Sequence, residues 1–237
     1  ILSETLNLLS NGCKEIMLTA QDSARYGSGL SGHKPGIVSL IKKMDAIDCG
    51  HEFWIRLMYC HPRHITPELI DCFRNAKRLL PYLDLPLQHI SDKILKAMNR
   101  KVSSSLIKKI LEEFRTIKPH IAIRTTFITG FPGETDKDFE ELLSFIKETK
   151  FDRLGAFKYS PEKGTAAFSL PSQVPDSVAE ARLKLIMETQ KKISLELNEK
   201  MLGRKIKTIV DSRKGQNTYI ARTPYDATQI DNTVLIQ

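Results

Sequence analysis

The chain has 237 residues, 41% of them hydrophobic and 7% aromatic, which is typical of a globular protein with one sizeable core. No apolar run approaches the roughly 20 residues of a membrane helix, and the first residues lack the basic segment of a signal peptide, so we expect no membrane partner. A net charge of +8 permits binding to nucleic acid or a ribonucleoprotein without requiring it.

Strand-like and helix-like segments alternate along the first 160 residues. Strands are predicted at Glu15–Ala20, Phe53–Tyr59, Tyr82–Leu87, Ile121–Ile128 and Arg153–Lys158. Helices are predicted at Leu2–Leu9, Ile37–Ile47, Thr66–Leu80, Ser91–Met98, Ser104–Lys118 and Thr135–Lys150. Repeated β–α units at this spacing indicate the α/β class, with a parallel sheet that is open or closed into a barrel.

The pattern changes after Ser160. Pro161–Pro175 is a turn-rich linker, and Ser177–Met201 is a long amphipathic helix. Short strand-like runs then follow at Lys205–Val210, Thr218–Ala221 and Thr233–Ile236. We therefore predict a β–α core at 1–160, a linker and helix at 161–203, and part of a small β domain at 204–237.

The four cysteines are Cys13, Cys49, Cys60 and Cys72. None of their spacings matches a zinc knuckle or a Cys-x-x-Cys redox pair. Thiols scattered in this way predict reduced, buried cysteines and a cytoplasmic protein.

The segment Arg124–Glu134 joins a predicted strand to a predicted helix. Gly130 and Gly133 end the strand and Thr135 caps the helix, so several backbone N–H groups meet beside Glu134. This arrangement suits a polar or phosphate-like ligand, although glycines at such a junction more often serve the turn alone.

Polar side chains follow all five predicted strands. The endings are Gln21-Asp22, Cys60-His61, Gln88-His89, Gly130–Glu134 and Tyr159-Ser160. Because ligands of parallel α/β folds bind at the carboxyl ends of the strands, these endings predict an active-site rim.

Single residues near the rim leave alternatives open. Arg124 would either pair with Asp22 or Glu134, or provide a fixed cation for a ligand carboxylate. His89 is a candidate general base. Tyr26, in the glycine-rich loop, is more typical of a packing residue than of a catalytic acid.

Cys60, His61 and His64 also permit a metal interpretation, such as the zinc site of a barrel hydrolase. No acidic partner stands at a metal-ligand spacing, and Pro62 favours a strand-ending turn. We therefore predict no metal ligands within the chain.

Four motifs, in this order, resemble those of the radical S-adenosylmethionine methylthiotransferases. They are Ala20-Gln-Asp-Ser-Ala-Arg-Tyr-Gly27, Leu85-Pro-Leu-Gln-His89, Arg124-Thr-Thr-Phe-Ile-Thr-Gly-Phe-Pro-Gly-Glu134 and Tyr159-Ser-Pro-Glu-Lys-Gly-Thr165. The resemblance extends over essentially the whole chain. Gln21-Asp22 and the run Ala221–Asp231 are most similar to the branch that modifies a ribosomal protein, since the transfer-RNA branch more typically has Gln-Asn at the first position.

The resemblance implies an incomplete (β/α)6 TIM-like barrel, of which this chain lacks the first strand, followed by the start of a TRAM domain. It implies S-adenosylmethionine and 4Fe–4S clusters as cofactors, one cluster being held by a Cys-x3-Cys-x2-Cys loop. In the ribosomal-protein branch the reaction adds a methylthio group to the β-carbon of an aspartate of small-subunit ribosomal protein twelve.

The resemblance also assigns the binding residues. Gln21 and Asp22 would lie near the methionyl end of the cofactor, Arg124 would bind its carboxylate, and Gln88 would contact the ribose or methionyl group. The adenine side would be lined by Gly130, Gly133 and Glu134. The basic residues that lead into the C-terminal segment would suit a ribosomal or RNA partner, or are simply solvated: Lys184, Lys191, Lys192, Lys200, Arg204, Lys205 and Lys207.

One expected motif is absent, because no Cys-x3-Cys-x2-Cys occurs in the sequence. The family places it just before Ile1, so we expect a fragment that is inactive by itself and begins after the cluster loop. A transfer-RNA methylthiotransferase and a non-catalytic binding module remain alternatives.

Overall fold

The computed structural model describes residues 1–28, 36–117 and 120–237, so Gly29 and Gly32 of the glycine-rich loop lie outside it. The helices are α1 (Leu2–Ser10), α2 (Ile37–Asp45), α3 (Pro67–Asn75), α4 (Asp92–Ala97), α5 (Ser104–Arg115), α6 (Asp136–Thr149) and α7 (Asp176–Glu199). The strands are β1 (Glu15–Leu18), β2 (Trp54–Leu57), β3 (Tyr82–Asp84), β4 (Ala122–Thr129), β5 (Arg153–Lys158), β6 (Ile209–Arg213), β7 (Tyr219–Arg222) and β8 (Val234–Ile236).

The chain divides into two compact units that are not contiguous in sequence. The first unit consists of Ile1–Asp84, Glu113–Ala122 and Gly203–Gln237, and the second consists of Leu85–Glu112 and Ile123–Leu202. The domain boundaries predicted at 160 and 203 remain predictions. Among the described helices, none combines the length and the apolar composition that a transmembrane segment requires.

In the first unit β1 and β2 are parallel, with Glu15 opposite Trp54 and Leu18 opposite Leu57. This pairing confirms the parallel arrangement predicted from the β–α pattern. The hydrophobic core beside these strands includes a residue from the C-terminal segment, and its buried members are Trp54, Met58, Leu80, Tyr82, Ala122 and Ala227.

A buried cluster of charges also joins the C-terminal segment to β1 and β2. Glu15 lies 2.6 Å from the Nε of Arg56 and 2.6 Å from the Nη2 of Arg222. Arg222 in turn pairs with Asp211 of β6 at 2.7 Å. Burial opposes the charge on Arg222, but hydrogen bonds to Asp211 and Glu15 raise its pKa. The three strands β6, β7 and β8 form an antiparallel sheet, which agrees with a small β segment at this end.

In the second unit β4 and β5 are parallel, with Arg124 opposite Arg153 and Thr129 opposite Lys158. Residues 85–88 lie along the other edge of β4, since Gln88 N donates to Thr126 O at 2.8 Å and Gln88 O accepts from Ile128 N at 2.9 Å. The second unit therefore has three adjacent parallel segments, and their carboxyl ends carry Gln88, Gly130 and Tyr159.

Helix starts follow the sequence signals closely. The Thr66 hydroxyl accepts from Leu69 N at 3.3 Å, and Pro67 occupies the first turn of α3. Thr135 and Asp138 form the predicted reciprocal capping box at the start of α6. These two caps confirm the predicted beginnings of α3 and α6.

Strand ends were predicted less well. The predicted strand at 53–59 stops at Leu57, because Tyr59 adopts a left-handed backbone with φ 56°. The predicted strand at 82–87 stops at Asp84, since Pro86 has no N–H for a ladder. The strand predicted at 205–210 begins later, since β6 spans Ile209–Arg213. The helix predicted to extend to residue 118 ends at Arg115.

Candidate functional site

In the first unit, Asp22 holds the loop after β1 to the turn after β2. One carboxylate oxygen accepts from His61 N at 3.1 Å, and the other lies 2.5 Å from His64 Nδ1. The neighbouring Gln21 is exposed. Both carboxylate oxygens of Asp22 are therefore occupied by contacts within the protein, whereas the exposed Gln21 is accessible to a ligand.

Cys60 does not have the properties of a zinc ligand. Burial raises the pKa of the Cys60 thiol, with the nearby carboxylates of Asp84 and Asp22 adding to the effect, so the thiolate that a metal needs is disfavoured. His64 is bound to Asp22. In the part of the chain that the structure describes, no group of three His, Cys, Asp or Glu residues could hold a metal ion.

In the second unit, Gln88 has the features of a binding residue. Its backbone is left-handed, with φ 71°, which is costly for any residue other than glycine and is held here by two hydrogen bonds to β4. Its Oε1 is buried and has no hydrogen-bond partner within the described ranges. A buried acceptor without a donor costs about 1–3 kcal/mol, so this atom points to a missing polar partner.

Tyr159, on the other side of β4, has the same feature. Its backbone N–H donates to Thr129 O at 2.8 Å, which fixes the residue directly after β5. Its hydroxyl oxygen is buried without a hydrogen-bond partner among the described residues. The carboxyl edge of this sheet therefore carries two buried oxygens, Gln88 Oε1 and the Tyr159 hydroxyl, that no protein group in the described ranges binds.

Arg124 lies elsewhere along the same strand. It is the third residue of β4 and shares a face with Thr126 and Ile128, since side chains two apart point the same way. About six residues separate it from Gly130, roughly 20 Å along an extended strand. Arg124 therefore lies on a strand face and not at the carboxyl edge.

The Gly130–Glu134 turn is closed by Glu134 itself. One carboxylate oxygen, Oε2, accepts from the backbone N–H groups of Gly130 and Phe131. The other, Oε1, lies 3.2 Å from Arg182 Nη1, although the guanidinium is not oriented for a hydrogen bond to it. Burial raises the pKa of Glu134, and Arg182 together with the two N–H groups opposes that rise.

Gly130 is required by packing as well as by the turn. Its φ is +75°, and a Cβ at this position would lie 2.4 Å from the Cβ of Ala179 on α7. Gly133 also has a positive φ, of +84°, but no atom lies within 4 Å of where its Cβ would be. The backbone of this turn therefore packs directly against α7 at Gly130 and is open at Gly133.

Arg182 supports this turn, and the sequence pattern does not reveal it. It is buried, and it also binds Asp136 at 2.7 Å. The one available signal is its place on the core-facing stripe of α7, between Ala179 and Ile186, where a charge needs a partner.

The structure does not support His89 as a general base. Its Nδ1 accepts a hydrogen bond from Ser91 N at 3.0 Å, so the lone pair that a base would use is occupied. Burial lowers the pKa of His89 to about 4. The imidazole is therefore neutral near pH 7, with the proton on Nε2.

We expect His89 to make the second unit acid-sensitive. Its folded pKa of about 4 lies below the unfolded value of about 6.5, so below pH 6.5 the unfolded chain binds a proton that the folded chain does not. The free energy of unfolding should therefore fall by about 3 kcal/mol between pH 7 and pH 4 through this residue alone. Urea unfolding of the unaltered chain and of His89→Asn, whose amide oxygen can still accept from Ser91 N, tests this, because the stability difference between the two should shrink as the pH falls. A difference that stays constant from pH 7 to pH 4 would contradict it.

Residues 1–146 match the Radical SAM superfamily. The match covers more than half of the chain, and the chain therefore belongs to this superfamily, whose cofactors are S-adenosylmethionine and an iron–sulfur cluster.

Curated relatives are similar along the entire chain. A "Ribosomal protein uS12 methylthiotransferase RimO" of Carboxydothermus hydrogenoformans is 47% identical over 238 residues, which are 100% of this chain and 54% of the relative. The protein of the same name from Thermosipho africanus is 46% identical over 236 residues, with the same coverage. The chain thus spans about half the length of the curated relatives it matches.

Among solved structures, the coproporphyrinogen III oxidase HemN of Escherichia coli, a radical SAM enzyme, is similar with a TM-score of 0.46 and 20% sequence identity. The similarity covers 68% of this chain and 36% of HemN.

Proposed function

We propose that this chain is the cofactor-binding core of a radical S-adenosylmethionine methylthiotransferase that modifies an aspartate β-carbon of ribosomal protein uS12. The observation that carries the proposal is the identity of 46–47% along the whole chain to two relatives of that name. In this proposal the β–α units belong to an incomplete (β/α)6 barrel within residues 1–160, and residues 161–203 are a linker and helix. Residues 204–237 begin a TRAM domain.

The chain's own cysteines do not fit an iron–sulfur cluster. The thiols of Cys13 and Cys49 donate to backbone carbonyls at 3.2 Å each. Burial raises the pKa of the thiols of Cys60 and Cys72. Because a cluster needs thiolates that converge, the ligands would have to come from outside these residues.

The second unit does fit a polar organic cofactor. The buried oxygens of Gln88 and Tyr159, which have no hydrogen-bond partner among the described residues, lie at the carboxyl edge of the sheet, where ligands of parallel α/β folds bind. S-adenosylmethionine presents hydroxyl, amino and carboxylate groups that could satisfy such atoms, and with a reduced cluster it supplies radical chemistry.

We assign the binding roles as follows. Gln21 donates to the methionyl end, and Asp22 fixes the loop that carries Gln21. Gln88 accepts from a ribose hydroxyl or the methionyl amine. The carboxylate role that the resemblance gives to Arg124 is not assigned, because Arg124 lies on a face of β4, away from the carboxyl edge. Gly130, Gly133 and Glu134 form the turn that lines the adenine side, with the Glu134 carboxylate holding the turn rather than the ligand.

The basic residues of α7 and its continuation would meet the ribosomal partner. All seven are exposed, and Lys207 also pairs with Glu52. Exposed cations suit an RNA-rich surface, and their contribution to binding would weaken as the salt concentration rises.

Cofactor binding by this chain is the first test. We expect S-adenosylmethionine to bind weakly in equilibrium dialysis, because no cluster is there to ligate it. We expect Gln88→Leu to weaken binding about tenfold, since it removes the acceptor. Gln216→Leu, at an exposed position of the C-terminal segment, serves as the matched control and should leave binding unchanged. Equal affinity of the Gln88 variant and the unaltered chain would contradict the role of Gln88.

The reaction itself can be tested in a chimera. The part of the Carboxydothermus relative that precedes the matched region is joined to this chain, and any missing C-terminal part is added from the same relative. After anaerobic reconstitution we expect uS12, and not transfer RNA, to gain the mass of one methylthio group. Modification of transfer RNA alone would support the transfer-RNA enzyme instead, and a correctly assembled chimera that modifies neither would indicate a binding module.

A further inference from the structure

Tyr59 has a backbone conformation that tyrosine rarely adopts. It follows β2 directly, with φ 56°. A bulky side chain in the left-handed region is a genuine outlier, because the Cβ is forced against the neighbouring carbonyl oxygen. Within the described residues it is the one aromatic among the non-glycine residues with positive φ.

Three hydrogen bonds hold this strained conformation. Tyr59 N donates to the buried carboxylate of Asp84 at 3.0 Å, and Tyr59 O accepts from Ser23 N at 2.9 Å. The next residue, Cys60, donates from its N–H to Asp84 O at 2.9 Å. A fully buried aspartate and the loop after β1 are therefore both used to fix one residue after β2.

Packing does not explain why this residue is a tyrosine. The residue is 41% exposed, and the hydrogen bonds that fix it are made by backbone groups of Tyr59 and Cys60. Glycine would make the same backbone bonds without strain, and asparagine would do so with less. Strain that the surrounding structure enforces, on a partly exposed aromatic residue, points to contact with a ligand.

We infer that the ring of Tyr59 contacts the sulfonium end of S-adenosylmethionine, which deepens the proposed function and rests on it. The backbone oxygen of Tyr59 accepts from the N–H of Ser23, which directly follows Gln21 and Asp22. Those two residues belong to the loop assigned to the methionyl end. The sulfonium carries a positive charge next to that end, and an aromatic face attracts a cation. Tyr59 is thus a cofactor-contacting residue of the first unit that the sequence motifs do not include.

The test compares two ligands and two properties of each variant. S-adenosylmethionine carries the sulfonium, whereas S-adenosylhomocysteine has a neutral thioether in its place. We expect Tyr59→Gly to weaken binding of S-adenosylmethionine about tenfold and binding of S-adenosylhomocysteine much less. The same variant should unfold at a higher urea concentration, because the backbone strain is relieved. Tyr59→Phe keeps the ring and should bind both ligands like the unaltered chain.

Gln229→Gly is the matched control. Gln229 is exposed, also has a positive φ of 62°, and belongs to the same unit. Its replacement should raise the urea midpoint in the same way and leave both affinities unchanged.

The outcomes separate the inference from the function on which it rests. If the unaltered chain binds S-adenosylmethionine and Tyr59→Gly binds each ligand with the same affinity as the unaltered chain, the inference is wrong and the proposed function stands. An equal loss of affinity for both ligands would refute the sulfonium contact, and a lower urea midpoint of Tyr59→Gly would show a structural role. If the unaltered chain binds neither ligand, the proposed function fails for this chain, and the inference fails with it.

Discussion

Replacing Gly130 with alanine is expected to lower the free energy of unfolding by about 3 kcal/mol, through two costs that act together. Alanine in the left-handed conformation costs about 1–2 kcal/mol. The new Cβ would also lie 2.4 Å from the Cβ of Ala179, so the turn or α7 must move. The hydrogen bond from the Thr129 hydroxyl to Ala179 O, 3.0 Å long, opposes that movement. Urea unfolding of the two chains measures the loss.

Gly133→Ala is the matched control for the conformational cost alone. It has a similar φ but no atom within 4 Å of the new Cβ, so we expect a loss of only about 1 kcal/mol. A double variant, Gly130→Ala with Ala179→Gly, should recover part of the loss, because it removes the closer of the two clashing atoms. If Gly130→Ala and Gly133→Ala cost the same, the contact with α7 is not what demands glycine at position 130.

Replacing Glu15 with glutamine is expected to destabilise the chain by about 3–5 kcal/mol, as removal of one member of a buried ion pair usually does. Glu15 is the carboxylate between Arg56 and Arg222, and each of the three side chains is at most 8% exposed. Arg222 would keep Asp211, but the contacts left to Arg56 that the structure gives are Pro224 O at 3.1 Å and the Tyr82 ring at 4.5 Å. Neither group carries a charge that could replace the lost carboxylate.

Glu52→Gln is the matched control for this prediction. Its ion pair with Lys207 also joins the N-terminal region to the C-terminal segment, but both side chains are exposed. Exposed pairs contribute little because water and salt screen them, so we expect no measurable change in the urea midpoint. A Glu15 variant as stable as the Glu52 variant would mean that the buried cluster contributes nothing to holding the C-terminal segment.

Features encoded by neighbouring residues could be predicted from the sequence. The β-branched run before Gly130 is strand β4, and Thr135 with Asp138 forms the capping box that begins α6. Thr66 and Pro67 likewise begin α3. In each case the signal and the structure that it specifies lie within a few residues, so no tertiary information is needed.

Features that depend on distant residues could not be predicted. Glu134 is 48 residues from Arg182, and Glu15 is more than 200 residues from Arg222, so no local pattern shows either pair. Backbone strain is also invisible in the sequence, because Tyr59 reads as an ordinary strand residue. For the candidate site, the motifs indicate Gln21 and Gln88, whereas the parts of Asp22 and Glu134 in holding the fold become clear only from their contacts.

The return of residues 203–237 to the first unit has a consequence for synthesis of the chain. Arg56 contacts Pro224 across 168 residues, and Tyr82 contacts Asp231 across 149, so the first unit cannot complete these bonds until residues 224 and 231 have been made. The second unit consists of Leu85–Glu112 and Ile123–Leu202, all of which precede residue 203, so it can fold while the chain is still growing. Glu15 of β1 and Arg56 of β2 can pair with each other early, but they lack Arg222 and the Pro224 carbonyl until those residues have been made. A chain cut short before residue 203 would expose those charges and the core around Trp54. Chaperones would bind such a chain and proteases would degrade it.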